Sequence, residues 1–283
     1  MPAVHFEKWQ ALGNDYLIVE RDQLPFELTP ERVRRLADPH FGPGGDGVLE
    51  LAPATQPGFV ASLRIFNPDG SEAELSGNGA REAILYLRRS GWTHAETFSI
   101  ETVAGEIRPT ITSETTCRVD MGRARLTSKD FPDGPEDGCG TVEAGGRRWR
   151  FQHVSIGNPQ AAIRIETPEE LEQLDLRAIG PGVERAPLFP NRTNTSFWCE
   201  LSPETIRARI FERGVGETLS SGTGASGAAV AHVLRGGDSP VTVKLDGGEL
   251  EVDVDEALQV ELTGWAVPVY RGELSPELLA ELG

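Results

Sequence analysis

Residues 76–80 read Ser-Gly-Asn-Gly-Ala, and residues 221–225 read Ser-Gly-Thr-Gly-Ala. The two stretches lie 145 residues apart, and the same offset aligns residues 64–80 with residues 209–225, where eight of seventeen positions are identical. A register shared over this length is more than a chance match of one dipeptide. The sequence therefore predicts two homologous halves, each with a strand, a glycine-rich turn and a helix.

The residues that follow each turn have the spacing of a helix. After the first turn, apolar side chains recur at positions i, i+3, i+4 and i+7, namely Ala80, Ala83, Ile84 and Leu87. The second copy, residues 224–234, is rich in alanine and ends before a glycine pair. Ser76 and Ser221 therefore stand where the chain enters a helix. Such a point offers backbone N–H groups and the positive end of the helix dipole to a carboxylate.

Composition and charge exclude several classes of protein. The formal net charge of -17 opposes nucleic-acid binding, which needs a basic surface. No apolar run approaches the roughly 18 residues of a membrane span, so no membrane partner is expected. The first ten residues lack a charged-then-apolar signal pattern, which favours a cytoplasmic protein. Cys117, Cys139 and Cys199 are widely spaced, so we expect reduced thiols and no metal site.

A change in composition along the chain suggests the domain organisation. Residues 122–147 are polar and rich in glycine, and we place the crossing between the halves there. The prediction is a first domain of residues 1–122 and a second domain of residues 123–263. The tail, residues 264–283, is expected to return to the first domain.

Several motifs occur in one order along nearly the whole chain. They include Leu12-Gly13-Asn14-Asp15-Tyr16, Asn67-Pro68-Asp69-Gly70, Gly77-Asn78-Gly79-Ala80-Arg81, Gly157-Asn158-Pro159, Asn194, Glu212-Arg213-Gly214 and Gly222-Thr223-Gly224. In these motifs the chain resembles the diaminopimelate epimerase family. The resemblance implies an α+β (mixed α/β) fold of two pseudo-symmetric domains. Each is a curved, mostly antiparallel sheet around a central helix, with the active site in the cleft between the domains.

The resemblance also implies a reaction. It is the conversion of LL- to meso-diaminopimelate, a precursor of lysine and of the cell wall, by two-base proton transfer at the α-carbon. No cofactor, and so no pyridoxal phosphate, is implied. The expected partner is a small-molecule amino-acid substrate, and a homodimer is left open. The positions implied for substrate binding are Asn14, Asn67, Gly77, Asn78, Asn158, Asn194, Glu212, Arg213, Gly222 and Thr223.

The two proton-transfer positions depart from the family. They belong to cysteines there, whereas this chain has Ser76 and Ser221. A thiol titrates near pH 8.5, whereas a serine hydroxyl is a far weaker acid and needs an adjacent base. Gln160 replaces the histidine that usually follows Gly-Asn-Pro, which removes one candidate base. Carboxylates near the turns that could replace a base are Asp69, Glu72, Glu82 and Glu217.

Two alternatives to a slow epimerase stay open at this point. One is a carboxylate-driven isomerase, like the phenazine-biosynthesis relatives of this fold. The other is a non-catalytic protein that binds an amino acid and uses both serines only as helix caps. The proline racemase branch fits less well, because it typically has a histidine where this chain has Asn78.

Overall fold

The computed structural model describes residues 3–73 and 76–283. The chain divides into two compact units, one of residues 1–119 and 264–283 and one of residues 120–263. Strands form most of the regular structure in both units, and a helix packs centrally in each. The predicted class, a mixed α/β fold with mostly antiparallel sheets, is confirmed.

The strands are β1 (Val4–Ala11), β2 (Asn14–Glu20), β3 (Val48–Pro53), β4 (Ala61–Phe66), β5 (Glu72–Ala73), β6 (Ile100–Thr102), β7 (Gly105–Ile107), β8 (Pro109–Ile111), β9 (Thr116–Arg123), β10 (Cys139–Ala144), β11 (Arg147–Ser155), β12 (Pro159–Arg164), β13 (Asn194–Ser202), β14 (Thr205–Glu212), β15 (Gly216–Thr218), β16 (Val241–Leu245), β17 (Gly248–Val254), β18 (Gln259–Trp265) and β19 (Val267–Leu274). The helices are α1 (Pro30–Ala37), α2 (Gly77–Arg89), α3 (Pro168–Glu172), α4 (Leu176–Glu184), α5 (Gly222–Val233) and α6 (Pro276–Leu282), with a short 3-10 helix at Arg21–Gln23.

In the first unit, the sheet runs in the order β19-β1-β2-β3-β4-β6-β7, and β5 pairs with β4. The pairs β2–β3 and β4–β6 are parallel, and the other pairs of this order are antiparallel. Strand β19 comes from the C-terminal tail and pairs with β1. The tail therefore belongs to the first unit.

In the second unit, strands β10-β11-β12-β13-β14-β16-β17-β18 are neighbours in that order, and β15 pairs with β14. The parallel pairs are β12–β13 and β14–β16. Strands β11 to β17 therefore repeat the alternation of antiparallel and parallel pairs seen from β1 to β7. The chain leaves the first unit within β9 and returns to it within β18.

The duplication holds at the level of single contacts. In the first unit, Phe66 of β4 pairs with Glu72 of β5. In the second unit, Phe211 of β14 pairs with Glu217 of β15, 145 residues later. Each glutamate also bonds an arginine at the same offset, Arg64 for Glu72 and Arg209 for Glu217. The repeat read from the sequence is thus a repeat of three-dimensional structure.

A central helix is buried in each unit. Helix α2 packs on β1, β2 and β3, and α5 packs on β11 to β14, β16 and β17. The glycine and alanine residues of α5 let its backbone approach the strands closely. A Cβ added to Gly224 would lie 3.0 Å from Ile210 Cδ1, and one added to Gly227 would lie 2.9 Å from Gln160 Cβ. The small residues of α5 are therefore a packing requirement of the second unit.

Further apolar side chains form a core in each unit. In the first unit, α1 and α6 cover the sheet through Val33, Leu36 and Leu279, which pack with Leu17 and Leu274. In the second unit, α3 and α4 pack over an aromatic cluster made of Trp149, Phe151, Phe189, Phe197 and Phe211. Burial of this apolar surface is the main stabilising term for both units.

Strand β10 and helix α4 are among the elements that the sequence analysis did not predict. Strand β10 lies inside the polar stretch 122–147, in which we had placed only a crossing. Helix α4 follows directly after α3, with Asp175 as its N-cap and Pro181 inside it. Its last residue, Glu184, is buried and bonds a loop of the candidate site.

Candidate active site

The two serines cap the two central helices. Ser76 Oγ accepts the Gly79 N–H at 3.1 Å, and Ser221 Oγ accepts the Gly224 N–H at 3.2 Å. Both serines have extended backbone angles, which is usual for an N-cap. The predicted helix starts are confirmed. A hydroxyl therefore lies beside the backbone N–H groups that a helix leaves unpaired within its first turn.

Asn14 and Asn78 meet in the first unit through a directed chain of hydrogen bonds. Arg81 Nη2 donates to Asn78 Oδ1 at 2.6 Å, and Asn78 Nδ2 donates to Asn14 Oδ1 at 3.2 Å. Asn14 Nδ2 then donates to Asp46 Oδ2 at 2.8 Å. Because the guanidinium can only donate, it fixes which way each amide faces.

Asn67 lies apart from that chain. Its amide Nδ2 donates to Ser71 Oγ at 2.9 Å, within its own turn. Asp69 of the same turn accepts from the Ser71 side chain and backbone, which lowers the pKa of its carboxyl. Within the described ranges, the structure does not join Asn67 by a hydrogen bond to Asn14 or Asn78.

A contact that the sequence did not suggest joins Tyr16 to Ser76. The Tyr16 hydroxyl donates to Ser76 Oγ at 3.3 Å. Tyr16 lies on β2, two residues after Asn14, and is 5% exposed. Alternation along a strand places residues 14 and 16 on one face, and this was the only local signal for the contact.

Glu82 is a buried carboxyl one turn into α2. It is 0% exposed, and the Tyr16 backbone N–H and the Arg81 guanidinium are the neighbours that favour its ionised form. Burial raises the pKa of Glu82 well above its usual range, and the neighbouring Arg81 only partly opposes this. By contrast, Arg64 holds the pKa of Glu72 below its usual range. Of the candidate bases in the first unit, Glu82 is the one kept neutral by its surroundings.

In the second unit, Asn158 and Thr223 meet. Thr223 Oγ1 accepts from Asn158 Nδ2 at 3.2 Å and from Gln160 Nε2 at 3.1 Å. Gln160 Nε2 also donates to Asn158 Oδ1 at 2.8 Å, and Ser221 Oγ lies 3.5 Å from Thr223 Oγ1. Gln160, at the position where the family usually has histidine, therefore serves the threonine and not the serine.

Asn194 and Arg213 are joined through the backbone. Asn194 Oδ1 accepts the Arg213 N–H at 2.9 Å, and Asn194 Nδ2 donates to the Pro159 carbonyl at 3.1 Å. The guanidinium of Arg213 donates to the Asn191 carbonyl at 3.1 Å. Asn194 thus ties the loop after β14 to the start of β12.

Glu212 lies beside Ser221. Burial raises the pKa of the Glu212 carboxyl, and a hydrogen bond with the Ser221 side chain partly opposes that shift. Within the described residues, Glu212 and Arg213 do not form an ion pair with each other. A serine with an adjacent carboxylate is the arrangement that a weakly acidic hydroxyl needs in order to act.

The cysteines do not replace the missing thiols. Cys117 and Cys199 are buried and Cys139 is exposed, and all three are free. Burial raises the pKa of Cys117 to about 12 and also raises the pKa of the other two thiols. A reactive cysteine needs a lowered pKa, so none of the three is activated.

The described residues contain no group of three or more His, Cys, Asp or Glu side chains placed to hold a metal ion. No helix in this part of the chain is long and apolar enough to cross a membrane.

The chain matches known proteins over nearly its whole length. The family profile described as "Diaminopimelate epimerase" matches residues 6–127 and 152–269. A diaminopimelate epimerase of Synechococcus sp. (strain JA-2-3B'a(2-13)) is 42% identical over 280 residues, covering 96% of this chain and 98% of that protein. One of Pelotomaculum thermopropionicum is 39% identical over 280 residues, covering 95% and 98%.

Solved structures of low sequence identity share the fold. A phenazine biosynthesis protein of the PhzF family from Bacillus anthracis has a TM-score of 0.68 at 21% identity, covering 97% of this chain and 100% of that chain. A probable proline racemase from Agrobacterium radiobacter K84 has a TM-score of 0.69 at 16% identity, covering 98% and 95%. At this level of identity the likeness concerns architecture alone. The profile match and the relatives at about 40% identity place this chain in the diaminopimelate epimerase family.

Proposed function

We propose that this protein epimerises diaminopimelate, between the LL and meso forms, by two-base proton transfer at the α-carbon. Ser76 and Ser221 are the proton-transfer residues of the proposal. The observation that carries it is the family match together with the two serine-capped helices, at whose first turns Asn78 and Thr223 bond Asn14 and Asn158. The binding groups are retained, and the thiols are changed to hydroxyls.

The binding residues suit a zwitterionic substrate. The turns Gly77-Asn78 and Gly222-Thr223 begin α2 and α5, where helix N-termini favour a carboxylate. Glu212 and Arg213 supply one negative and one positive side chain, for an ammonium and a second carboxylate. The amides of Asn14, Asn67, Asn158 and Asn194 supply neutral donors and acceptors.

The reaction breaks one C–H bond and forms another at the same carbon. One residue removes the α-proton, the carboxylate of the substrate shares the resulting negative charge, and a second residue returns a proton to the opposite face. At Ser221, Glu212 takes the hydroxyl proton while Ser221 Oγ takes the α-proton. The raised pKa of Glu212 strengthens this carboxylate as a base. Serine on both faces makes each step slower than a thiol would.

The remaining biology follows from the same proposal. The enzyme works in the cytoplasm in lysine and cell-wall precursor synthesis, needs no pyridoxal phosphate, and can act as a homodimer.

The test is α-proton exchange in heavy water, followed by NMR, with LL- and meso-diaminopimelate and a panel of other amino acids. The expected result is slow exchange that is specific to diaminopimelate and is lost in Ser221→Ala. Binding of diaminopimelate by calorimetry without any exchange would show a binding protein instead. Exchange that survives Ser76→Ala and Ser221→Ala together but is lost in Glu82→Gln would favour the carboxylate-driven isomerase.

A further inference from the structure

Ser76 Oγ accepts two hydrogen bonds. One comes from the Gly79 N–H at 3.1 Å and the other from the Tyr16 hydroxyl at 3.3 Å. A hydroxyl oxygen has two lone pairs, so both are engaged. The hydrogen of Ser76 is then the part of the group left to be donated. Its surroundings therefore orient Ser76 as a proton donor.

The second unit does not repeat this contact. Asn14 and Asn158 are related by an offset of 144 residues, and the same offset makes Gln160 the equivalent of Tyr16 in the second half. Gln160 donates to Thr223 and Asn158, and a glutamine amide has no proton that it can transfer at neutral pH. Ser221 instead has Glu212, a group that accepts protons. Ser76 thus has a proton donor beside it, the Tyr16 hydroxyl, whereas Ser221 has a proton acceptor, the Glu212 carboxylate. The two serines are therefore suited to opposite directions of proton transfer.

The ring of Tyr16 is held in a fixed slot. A Cβ added to Gly47 would lie 2.6 Å from Tyr16 Cε1 and 2.2 Å from the Phe66 carbonyl oxygen. The Leu17 N–H donates to the Gly47 carbonyl at 3.1 Å, which keeps the two segments together. The hydroxyl of a buried, close-packed ring holds its position better than that of an exposed side chain.

We propose that Tyr16 is the proton reservoir behind Ser76, a positioning and relay residue for the reaction proposed above. As the carbanion takes the proton of Ser76 Oγ–H, the Tyr16 O–H bond breaks and its proton re-forms the Ser76 hydroxyl. Tyr16 is left as a phenolate, and the cycle closes when the phenolate takes a proton from water. One proton leaves Tyr16 and one reaches carbon, and no oxidant or reductant takes part.

With the relay, the acid that finally supplies the proton to the α-carbon is the Tyr16 phenol and not the Ser76 hydroxyl. A phenol ordinarily titrates near 10, whereas an aliphatic alcohol is a much weaker acid. The negative charge that protonation of carbon leaves behind therefore rests on the phenol and not on the serine. In this way Tyr16 replaces part of the acidity that is lost when a thiol becomes a hydroxyl.

The test compares Tyr16→Phe in two backgrounds. In the protein as it stands, we expect Tyr16→Phe to lower kcat for α-proton exchange by about 10- to 100-fold, within the range of general acid catalysis, with KM changed less than about threefold. In the Ser76→Cys background the same change should cost less than about threefold, because a thiol needs no phenol behind it. Tyr86→Phe is the matched control, since Tyr86 is a buried tyrosine of the same unit that donates to Glu20 at 2.8 Å.

Each outcome decides a separate point. An equal loss of kcat in both backgrounds would assign Tyr16 a purely structural role and overturn the relay. Unchanged exchange in Tyr16→Phe, with wild-type exchange measurable, would also overturn the relay while leaving the proposed function intact. A wild-type protein that exchanges no proton with diaminopimelate would overturn the proposed function and the relay with it. Thermal melting of each variant checks that the fold is kept.

Discussion

Arg81 and Ser226 each donate a hydrogen bond to the carbonyl of the first residue of their own helix, α2 or α5. Arg81 Nη1 donates to the Gly77 carbonyl at 3.0 Å, and Ser226 Oγ donates to the Gly222 carbonyl at 2.9 Å. Both pairs keep the 145-residue offset of the duplication. One contact is thus preserved although a long cation stands in one copy and a small hydroxyl in the other. Arg81 reaches further and also donates to the Asn78 side chain, so a cation orients the amides of the first half.

Glu82→Gln is expected to stabilise the protein increasingly as pH rises. The folded state raises the pKa of Glu82, so the unfolded chain loses this proton first. The contribution of Glu82 to the free energy of unfolding is therefore fully present below the pKa of glutamate in the unfolded chain, near 4.3. It is lost as the pH rises through the pKa of Glu82 in the folded protein. Glutamine does not ionise, so the Tm of the variant relative to wild type should rise from pH 5 to pH 8.

Thermal unfolding of both proteins at pH 5 and at pH 8 measures this difference in Tm. Glu143→Gln is the control, because Glu143 is 74% exposed. A difference in Tm between Glu82→Gln and wild type that is constant over this pH range would contradict a neutral buried carboxyl.

Gly227→Ala is expected to destabilise the second unit by about 1–3 kcal/mol, as overpacking does. The new Cβ would lie 2.9 Å from Gln160 Cβ and 3.0 Å from Gln160 Cγ. Shortening the glutamine in Gly227→Ala/Gln160→Ala should recover part of the loss, since the clash is with that side chain. Urea unfolding measures both variants, and strictly additive losses would show that Gln160 Cγ, the atom that Gln160→Ala removes, is not the obstacle.

The sequence predicts the two helix starts because their signal is local. The position of Ser76 and Ser221 at a helix entry depends on the few residues that follow each of them. The Tyr16–Ser76 contact joins residues 60 positions apart, so only the folded sheet reveals it. Helix α4 was not predicted because it contains Gly180, Pro181 and Gly182, which are typical of a turn and interrupt the helical spacing of its apolar residues. The placement of Gln160 against Thr223 also depends on tertiary packing, in the space that Gly227 leaves.

Glu184→Gln is expected to raise KM for diaminopimelate while leaving kcat nearly unchanged. Glu184 is 3% exposed, and its Oε1 accepts the Gly214 N–H at 3.0 Å and pairs with Arg192 at 3.4 Å. It thereby fixes the loop after Arg213, which we propose binds a carboxylate. Hydrogen bonds to charged groups contribute about 1.5–3 kcal/mol, and a glutamine keeps part of this, so a rise of about three- to tenfold is expected.

Steady-state kinetics of Glu184→Gln separate the two parameters. Glu170→Gln is the control, since this residue pairs with Arg147 in the same unit, at 2.6 Å, but contacts no proposed binding loop. A loss confined to kcat would argue against a role in binding.

Restoring both thiols is the most direct test of the proton-transfer positions. Ser76→Cys/Ser221→Cys should raise kcat at least about 100-fold, because general acid–base catalysis contributes about 10²–10⁴-fold and works best with a pKa near the working pH. Each single change should do much less, because one of the two proposed proton transfers would still depend on a hydroxyl. Ser226→Cys is the matched control: Ser226 is a buried serine of α5 that donates to Gly222.

Gln160 is expected to limit how far kcat rises in the double-cysteine variant. Its amide serves Thr223 and Asn158, and it offers no base to a restored thiol. Adding Gln160→His to the double-cysteine variant should therefore raise kcat further, because an imidazole can accept the proton of a thiol. The epimerisation rate of LL-diaminopimelate measures the series. Wild-type protein that already turns over as fast as the double-cysteine variant would show that the hydroxyls are not the limiting groups, and Glu82 would then be the next residue to replace.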